Sequence, residues 1–202
     1  MMSKKADMGI GTLVIFIAMI LVAAIAAGVL IQTATSLQNR ALLTGDRTRT
    51  EVSTGMDTLL LYAMNGSDGV VDDFRQQVQL SAGSDPVSLE DALLTFDTDD
   101  STGDYTYTNE SCNYSDDGSD GYTFDSGEHN GTFAVRYLVE GPNHQDSYLV
   151  RGDIIELCYR SPEDVEEDTG IRVSFNPQAG TPLTVETSMP NIITSERVYI
   201  YP

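Results

Sequence analysis

An α+β architecture, a long N-terminal apolar α-helix followed by a C-terminal antiparallel β-sandwich head of immunoglobulin-like type, is what this 202-residue chain predicts. Two observations carry it. Residues 8–31 ("MGIGTLVIFIAMILVAAIAAGVLI") contain one side-chain oxygen, that of Thr12, and continue in helical register beyond Ile31. From about residue 65 the pattern changes to short alternating stretches separated by Gly, Pro and Asn turn signals. The charge divides at the same place. Residues 8–64 balance Arg40, Arg47 and Arg49 against Asp46, Glu51 and Asp57, whereas residues 65–202 set 27 acids against six arginines, a formal −21.

The apolar segment is long enough to cross a bilayer, at about 1.5 Å per residue. A cleavable secretory signal has a shorter apolar core followed by a small-residue cleavage site, so retention of the segment is expected. Lys4 and Lys5 precede it, which puts the N-terminus inside and the body outside. Leu30, Ala34, Leu37, Ala41, Thr48, Val52, Met56, Leu59 and Ala63 then form one stripe. The expected helix therefore runs to Met64, with Asn65–Gly66 as its stop and Gly45 as a weak point. Ala23–Ala27 and Ala24–Gly28 are small-x-x-x-small pairs that let helix backbones approach closely. A lone lipid-facing anchor is the alternative.

In the body, "TFAVRYLVE" alternates Phe133, Val135, Tyr137 and Val139 with Arg136 and others, and "GDIIELCYR" puts Ile155, Leu157 and Tyr159 on one face. "IRVSF", "LTVET" and "RVYIY" come next, punctuated by Asn176–Pro177, Gly180–Pro182 and Met189–Pro190. Eight or nine short strands with turns between them make a sandwich. Residues 97–132, rich in Asp, Ser, Gly and Tyr, read as a long acidic loop.

The full chain carries 11 basic and 31 acidic residues, 20 of them Asp, with no lysine after Lys5. Such a surface suits concentrated salt, where screening shortens electrostatic repulsion to a few Å; an acidic protein of dilute buffer is the alternative. No basic patch exists to neutralise phosphates, so nucleic acid is not an expected partner. N-x-S/T sequons at Asn65, Asn109, Asn113 and Asn130 all fall in or beside expected exposed loops. Cys158 has the parity of Glu156 and Arg160, away from the core, which favours a Cys112–Cys158 disulfide over two unrelated thiols. "DTDDSTGD" and "NYSDDGSD" space oxygens as calcium loops do. Neither has the bidentate Glu at position 12, so Asp97, Asp99 and Asp117 are weak metal candidates and no cofactor is expected. His129 and His144 are isolated, and no nucleophile elbow, P-loop or zinc motif appears, so no enzyme activity is expected.

Three stretches carry a family resemblance: the leading "KKADMGIGTLVIFIAMILVAAIAAGVLIQTA", the central "VDDFRQQVQLSAGSDPVSLEDALLTF" and the closing "GIRVSFNPQAGTPLTVETSMPNIITSERVYIYP". They resemble archaeal flagellins (archaellins), whose precursors are similar to type IV prepilins. The middle stretch resembles the family's first head strand with its A-G-S-x-P-I/V-x-L turn, the last its P-x-x-G turn and L/I-Y-P-like end. The resemblance implies a leader, residues 1–6, cut between Ala6 and Asp7 by a prepilin-peptidase-like enzyme, although Ala6 stands where the family has Gly. Gly11 stands at the fifth mature position, where pilins proper carry Glu. It further implies an assembly helix over 7–64 with Gly9, Gly11, Phe16, Ala23, Ala24, Ala27 and Gly28, and a head over 65–202. The implied function is a structural subunit of a motility filament, extracellular after a membrane-bound precursor stage. Its implied partners are copies of itself or other archaellins and a motor and export machinery, with N-linked glycans on the sequons. The rivals are an adhesive type IV-like pilin and a membrane-anchored, calcium-dependent binding protein.

Overall fold

The computed structural model describes residues 3–64, 66, 69–109, 112 and 131–202, the side chains of residues 3–8 excepted. It consists of two compact units, residues 1–48 and 49–202. One helix, α1 (Ser3–Ser53), provides the whole of the first unit's described residues and enters the second with its last turn. Its threonines do not break it. The hydroxyls of Thr12, Thr33, Thr35 and Thr44 donate to the carbonyls of Gly9, Leu30, Ile31 and Arg40, so these polar atoms are satisfied within the helix itself.

The helix stops at Ser53, eleven residues before the expected Met64, and Met56–Met64 is strand β1. Gly55 lies just past the end. A glycine costs about 1 kcal/mol in a helix interior, a cost α1 carries at Gly9, Gly11, Gly28 and Gly45 without breaking, so Gly55 weakens a continuation without by itself ending it. The next stretch, "MDTLLLYAM", becomes a central strand between β2 (Val70–Leu80) and β11 (Arg197–Tyr201). Leu61 and Tyr62 point to opposite faces and both are buried. A strand covered on both faces shows no alternation, so its apolar run also fits a helical stripe.

The remaining strands are β3 (Val87–Ser88), β4 (Leu93–Thr98), β5 (Thr102–Tyr107), β6 (Thr132–Val139), β7 (Tyr148–Leu149), β8 (Ile154–Glu166), β9 (Gly170–Asn176) and β10 (Leu183–Ser188). Nine form one sheet in the order β10-β9-β4-β5-β6-β8-β2-β1-β11, and β3 pairs with β7 separately. Every pairing is antiparallel except β5–β6, where Thr106 faces Thr132 and Tyr107 faces Phe133. The sheet turns on itself there, so that β4 and β9 lie over β2 and β8. Phe74 of β2 meets Phe96 of β4 at 4.6 Å between ring centroids, and Phe133 of β6 meets Phe175 of β9 at 5.9 Å. Ile155, Leu157 and Tyr159, on the face the alternation assigns to the core, are fully buried there. The two ends of the sheet meet as well, where the Thr187 hydroxyl on β10 donates to the Ile200 carbonyl on β11. The head is thus a two-layered antiparallel-rich unit made from a single folded sheet.

The acidic loop also needs correction. Residues 97–98 complete β4 and residues 102–107 are β5, joined by a tight turn in which Thr98 N–H donates to the Ser101 carbonyl at 2.8 Å. The aspartates crowd the turn, while Tyr105 alternates inward to the core. The acidic composition of this stretch hid a hairpin.

Candidate functional site

Every residue of α1 from Gly9 to Arg49 is exposed within the single chain, Phe16 to 63 %. The helix is long and apolar enough to cross a membrane. Water does not tolerate so large a contiguous apolar surface, so its working environment is lipid or another protein surface. A Cβ built on Gly9, Gly11, Gly28 or Gly45 meets nothing within 4 Å, so no contact among the described residues requires glycine at these positions. Ala6 and Asp7 lie in the first turns of α1.

At its other end the helix is held by the head. The Thr54 N–H closes the last turn on the Thr50 carbonyl at 3.0 Å. The Thr54 carbonyl, no longer inside a helix, accepts from the Thr181 N–H at 2.9 Å and from the Thr181 hydroxyl at 3.1 Å. Gly55 donates its N–H to Ser84 Oγ at 2.9 Å, and the Ser84 hydroxyl donates to the Gly55 carbonyl at 2.9 Å. That carbonyl also accepts the Ser81 N–H at 3.0 Å. Thr54 is buried against Gly180, whose φ of +116° and whose closeness to Thr54 (3.0 Å from a built Cβ to the Thr54 oxygen) both call for glycine. Sequence reading treats Ser84 and Gly180 only as turn residues. Their signal is that they sit in the two turn motifs, A-G-S-x-P and P-x-x-G.

The outer face of the head is partly buried too. Cys112 and Cys158 form a disulfide with Cα atoms 6.2 Å apart, in a small cluster with Ala134 that is separate from the main core. Beside it Glu156, 1 % exposed, accepts a hydrogen bond from the Tyr62 hydroxyl at 2.5 Å and a short one from Arg136, with Arg75 Nη1 at 3.9 Å. Burial and the bond to Glu156 push the Tyr62 phenol up to about 12. Further along, Arg160 Nε donates to Asp72 at 2.9 Å, while Asp73 lies 3.9 Å away. Burial and the neighbouring Asp72 charge lift Asp73 to about 7, against the lowering influence of Arg160 and Arg75. Sequence alone singles out none of these buried charged groups.

Of the weak metal candidates, Asp99 accepts the Gly170 N–H at 2.9 Å, and Asp117 lies outside the described residues. Among the described residues no group of three or more His, Cys, Asp or Glu side chains is arranged to hold a metal, around Asp97 or elsewhere. Asn109 is exposed just after β5; Asn65, Asn113 and Asn130 lie outside the described residues.

A family model for archaeal-type flagellin matches residues 6–187. Flagellin B1 of Thermoplasma volcanium is 41 % identical over 97 residues, covering 46 % of this chain and 39 % of that protein. Flagellin A2 of Haloferax volcanii is 37 % identical over 124 residues, covering 61 % of this chain and 54 % of that protein. The matched stretches thus span about half the length of these curated relatives or less. Among solved structures, the archaeal flagellum of Methanospirillum hungatei strain JF1 superposes with a TM-score of 0.66 at 11 % identity, covering 95 % of this chain and 98 % of that one. The crystal structure of archaeal flagellin FlaB1 from Methanocaldococcus jannaschii gives 0.58 at 17 % identity, covering 73 % and 96 %. At these identities the likeness is one of fold.

Proposed function

The chain belongs to the archaeal-type flagellin family, and from that premise we propose that it is a structural, non-enzymatic subunit of an archaeal flagellar filament that polymerises through α1. The observation that carries the reading is the helix whose apolar surface is left exposed among the described residues. A long helix with apolar residues all round needs burial on all sides, and neighbouring copies of the same helix supply it. Lipid tails are as apolar as leucine, so leaving the membrane for a bundle gains little from hydrophobicity itself. Close packing at Ala23, Ala24, Ala27 and Gly28 provides the bias instead. Repeated head-to-tail contacts that do not close on themselves give an open helical polymer.

Before assembly the precursor sits in the membrane with Lys4 and Lys5 inside, and a prepilin-peptidase-like enzyme cuts between Ala6 and Asp7. Export and rotation come from machinery other than this chain. The filament stands outside the cell, in salt, with glycans on sequons such as the exposed Asn109. Negative-stain microscopy of sheared surface material, with N-terminal sequencing of its subunit, tests the reading. Filaments whose subunit starts at Asp7 are the expected result. A subunit starting beyond Ile31, or isolated particles that never polymerise, overturns it. Loss of swimming with surface attachment intact in a deletion strain separates a motility filament from the adhesive pilin, which the family match does not favour.

A further inference from the structure

The junction between α1 and β1 rests on one residue without a side chain. Gly55 comes after a helix and before a strand, and its backbone is not in the left-handed region. A Cβ there would come no nearer than 3.4 Å to Ser81 Oγ. Neither conformation nor space therefore demands glycine, and a glycine between two rigid elements is a natural point of bending. Yet the structure ties this point down from two turns that are remote in sequence. Ser84 both accepts from the Gly55 N–H and donates to the Gly55 carbonyl, each at 2.9 Å, so one hydroxyl closes both sides of the residue. The second carbonyl within its reach, that of Ser53, is more distant at 3.5 Å, and a hydroxyl has a single proton to give. Thr181 gives its N–H and its hydroxyl to the Thr54 carbonyl, and Gly180 lies against Thr54 where any side chain would push it away. The N–H and C=O groups of both Thr54 and Gly55 are all paired.

We infer that Ser84 and Thr181 are positioning residues for the filament: they lock the Thr54–Gly55 joint so that load on the assembly helix passes into the head without bending there. The inference rests on the filament-subunit reading above and adds to it a stiff joint at Thr54–Gly55. Without the clamp, the single covalent link at Gly55 would be the compliant step in every subunit, and a filament that pushes against fluid needs that step stiff.

The test uses the full chain expressed in its own host, as wild type, as the Ser84→Ala/Thr181→Val double variant and as Ser84→Thr/Thr181→Ser, which keeps both hydroxyls. The readouts are bending persistence length of sheared filaments in micrographs and amide hydrogen exchange within the filaments. The double variant is expected to polymerise, to give filaments that bend over shorter lengths, and to exchange the Gly55 amide about tenfold faster or more. The hydroxyl-retaining variant is expected to stay near wild type in both. Variant filaments as stiff as wild type overturn the clamp, as does loss of polymerisation while the head melts normally. If the double variant does not fold, wild-type exchange decides. Gly55 and Thr181 amides protected as well as those of β1 support the clamp; amides exchanging as fast as exposed turn residues overturn it. Wild-type chains that form no filaments overturn the filament reading and the clamp together, whereas filaments of unaltered stiffness overturn the clamp alone.

Discussion

At the scale of single residues, the outer face of the head holds two buried carboxylates, Glu156 and Asp73. Glu156 is almost fully buried and is satisfied by Tyr62 and Arg136, with the Arg75 guanidinium, itself 1 % exposed, at 3.9 Å. Removing one member of a buried ion pair leaves charge without compensation, which costs about 3–5 kcal/mol. Glu156→Gln, which removes the charge and keeps the shape, is therefore expected to lower the unfolding free energy of the full chain in urea by about that much. A loss well below that range would contradict the charge argument. At Asp73, burial and the neighbouring Asp72 raise the carboxyl from 3.8 to about 7. Its folded-state pKa lies above the unfolded one, so its contribution to stability is intact below about pH 4. It is lost as pH rises toward 7, because the unfolded chain ionises first. The loss is on the order of 2–4 kcal/mol. Asp73→Asn is expected to flatten the decline of Tm between pH 4 and 7 and to stabilise the protein above pH 7. A variant with the same pH profile as wild type would show that this aspartate is already ionised in the folded chain.

At the scale of elements, legibility tracks how strongly each stretch is committed to one period. Residues 8–31 allow no reading but an apolar helix, and β8 alternates Ile155, Leu157 and Tyr159 so regularly that its inward face is plain from sequence. Residues 56–64 are the failure. Residues 61–64 are buried on both faces of the sheet, so the alternation that marks a strand is erased there, and the spacing of Met56, Leu59 and Ala63 extends the helical stripe past its true end. β5 was hidden by composition, because Asp99, Asp100 and Asp104 crowd a hairpin whose second strand turns only the tyrosines Tyr105 and Tyr107 toward the core. The junction was illegible for another reason: Ser84 and Thr181 reach the helix end only after the head has folded, across 29 and 127 residues. Cys158 was readable from parity alone, and its disulfide closes a separation of 46 residues. In the chain-entropy model such a link stabilises by about 4 kcal/mol. The Cys112→Ala/Cys158→Ala variant is expected to lose most of that in urea unfolding, with no change in the amount of helix by circular dichroism. An unshifted midpoint would mean that the unfolded chain gains no freedom when the link is removed.

At the scale of the whole molecule, charge and apolarity are segregated along the chain, and in the proposed filament each gains a consequence. Residues 8–64 contribute no net formal charge, while residues 65–202 contribute −21 from 27 acids and six arginines. Several of those arginines are already engaged within the head: Arg160 with Asp72, Arg172 with Glu186 at 2.8 Å, and Arg136 with Glu156. Little positive charge is left to meet the carboxylates of a neighbouring subunit, so crowding heads around a common core brings like charges together. Screening decides the cost. At about 0.1 M salt the Debye length is near 10 Å and adjacent heads repel, whereas at 1 M it is near 3 Å and they do not. Filaments are therefore expected to melt and dissociate at lower temperature as KCl is reduced from about 3 M to 0.1 M, with most of the change below about 1 M. The exposed acidic run after Arg160 provides the control. Glu163→Gln/Glu166→Gln removes two negative charges from exposed positions on β8 and should shrink the salt dependence while leaving Tm in concentrated KCl unchanged. KCl is the right titrant because sulfate would also strengthen apolar burial and so confound helix packing with head repulsion. Filaments whose Tm is flat across this range would mean that the heads stand too far apart to sense each other's charge, and the acidic surface would then need an explanation at the level of the isolated head.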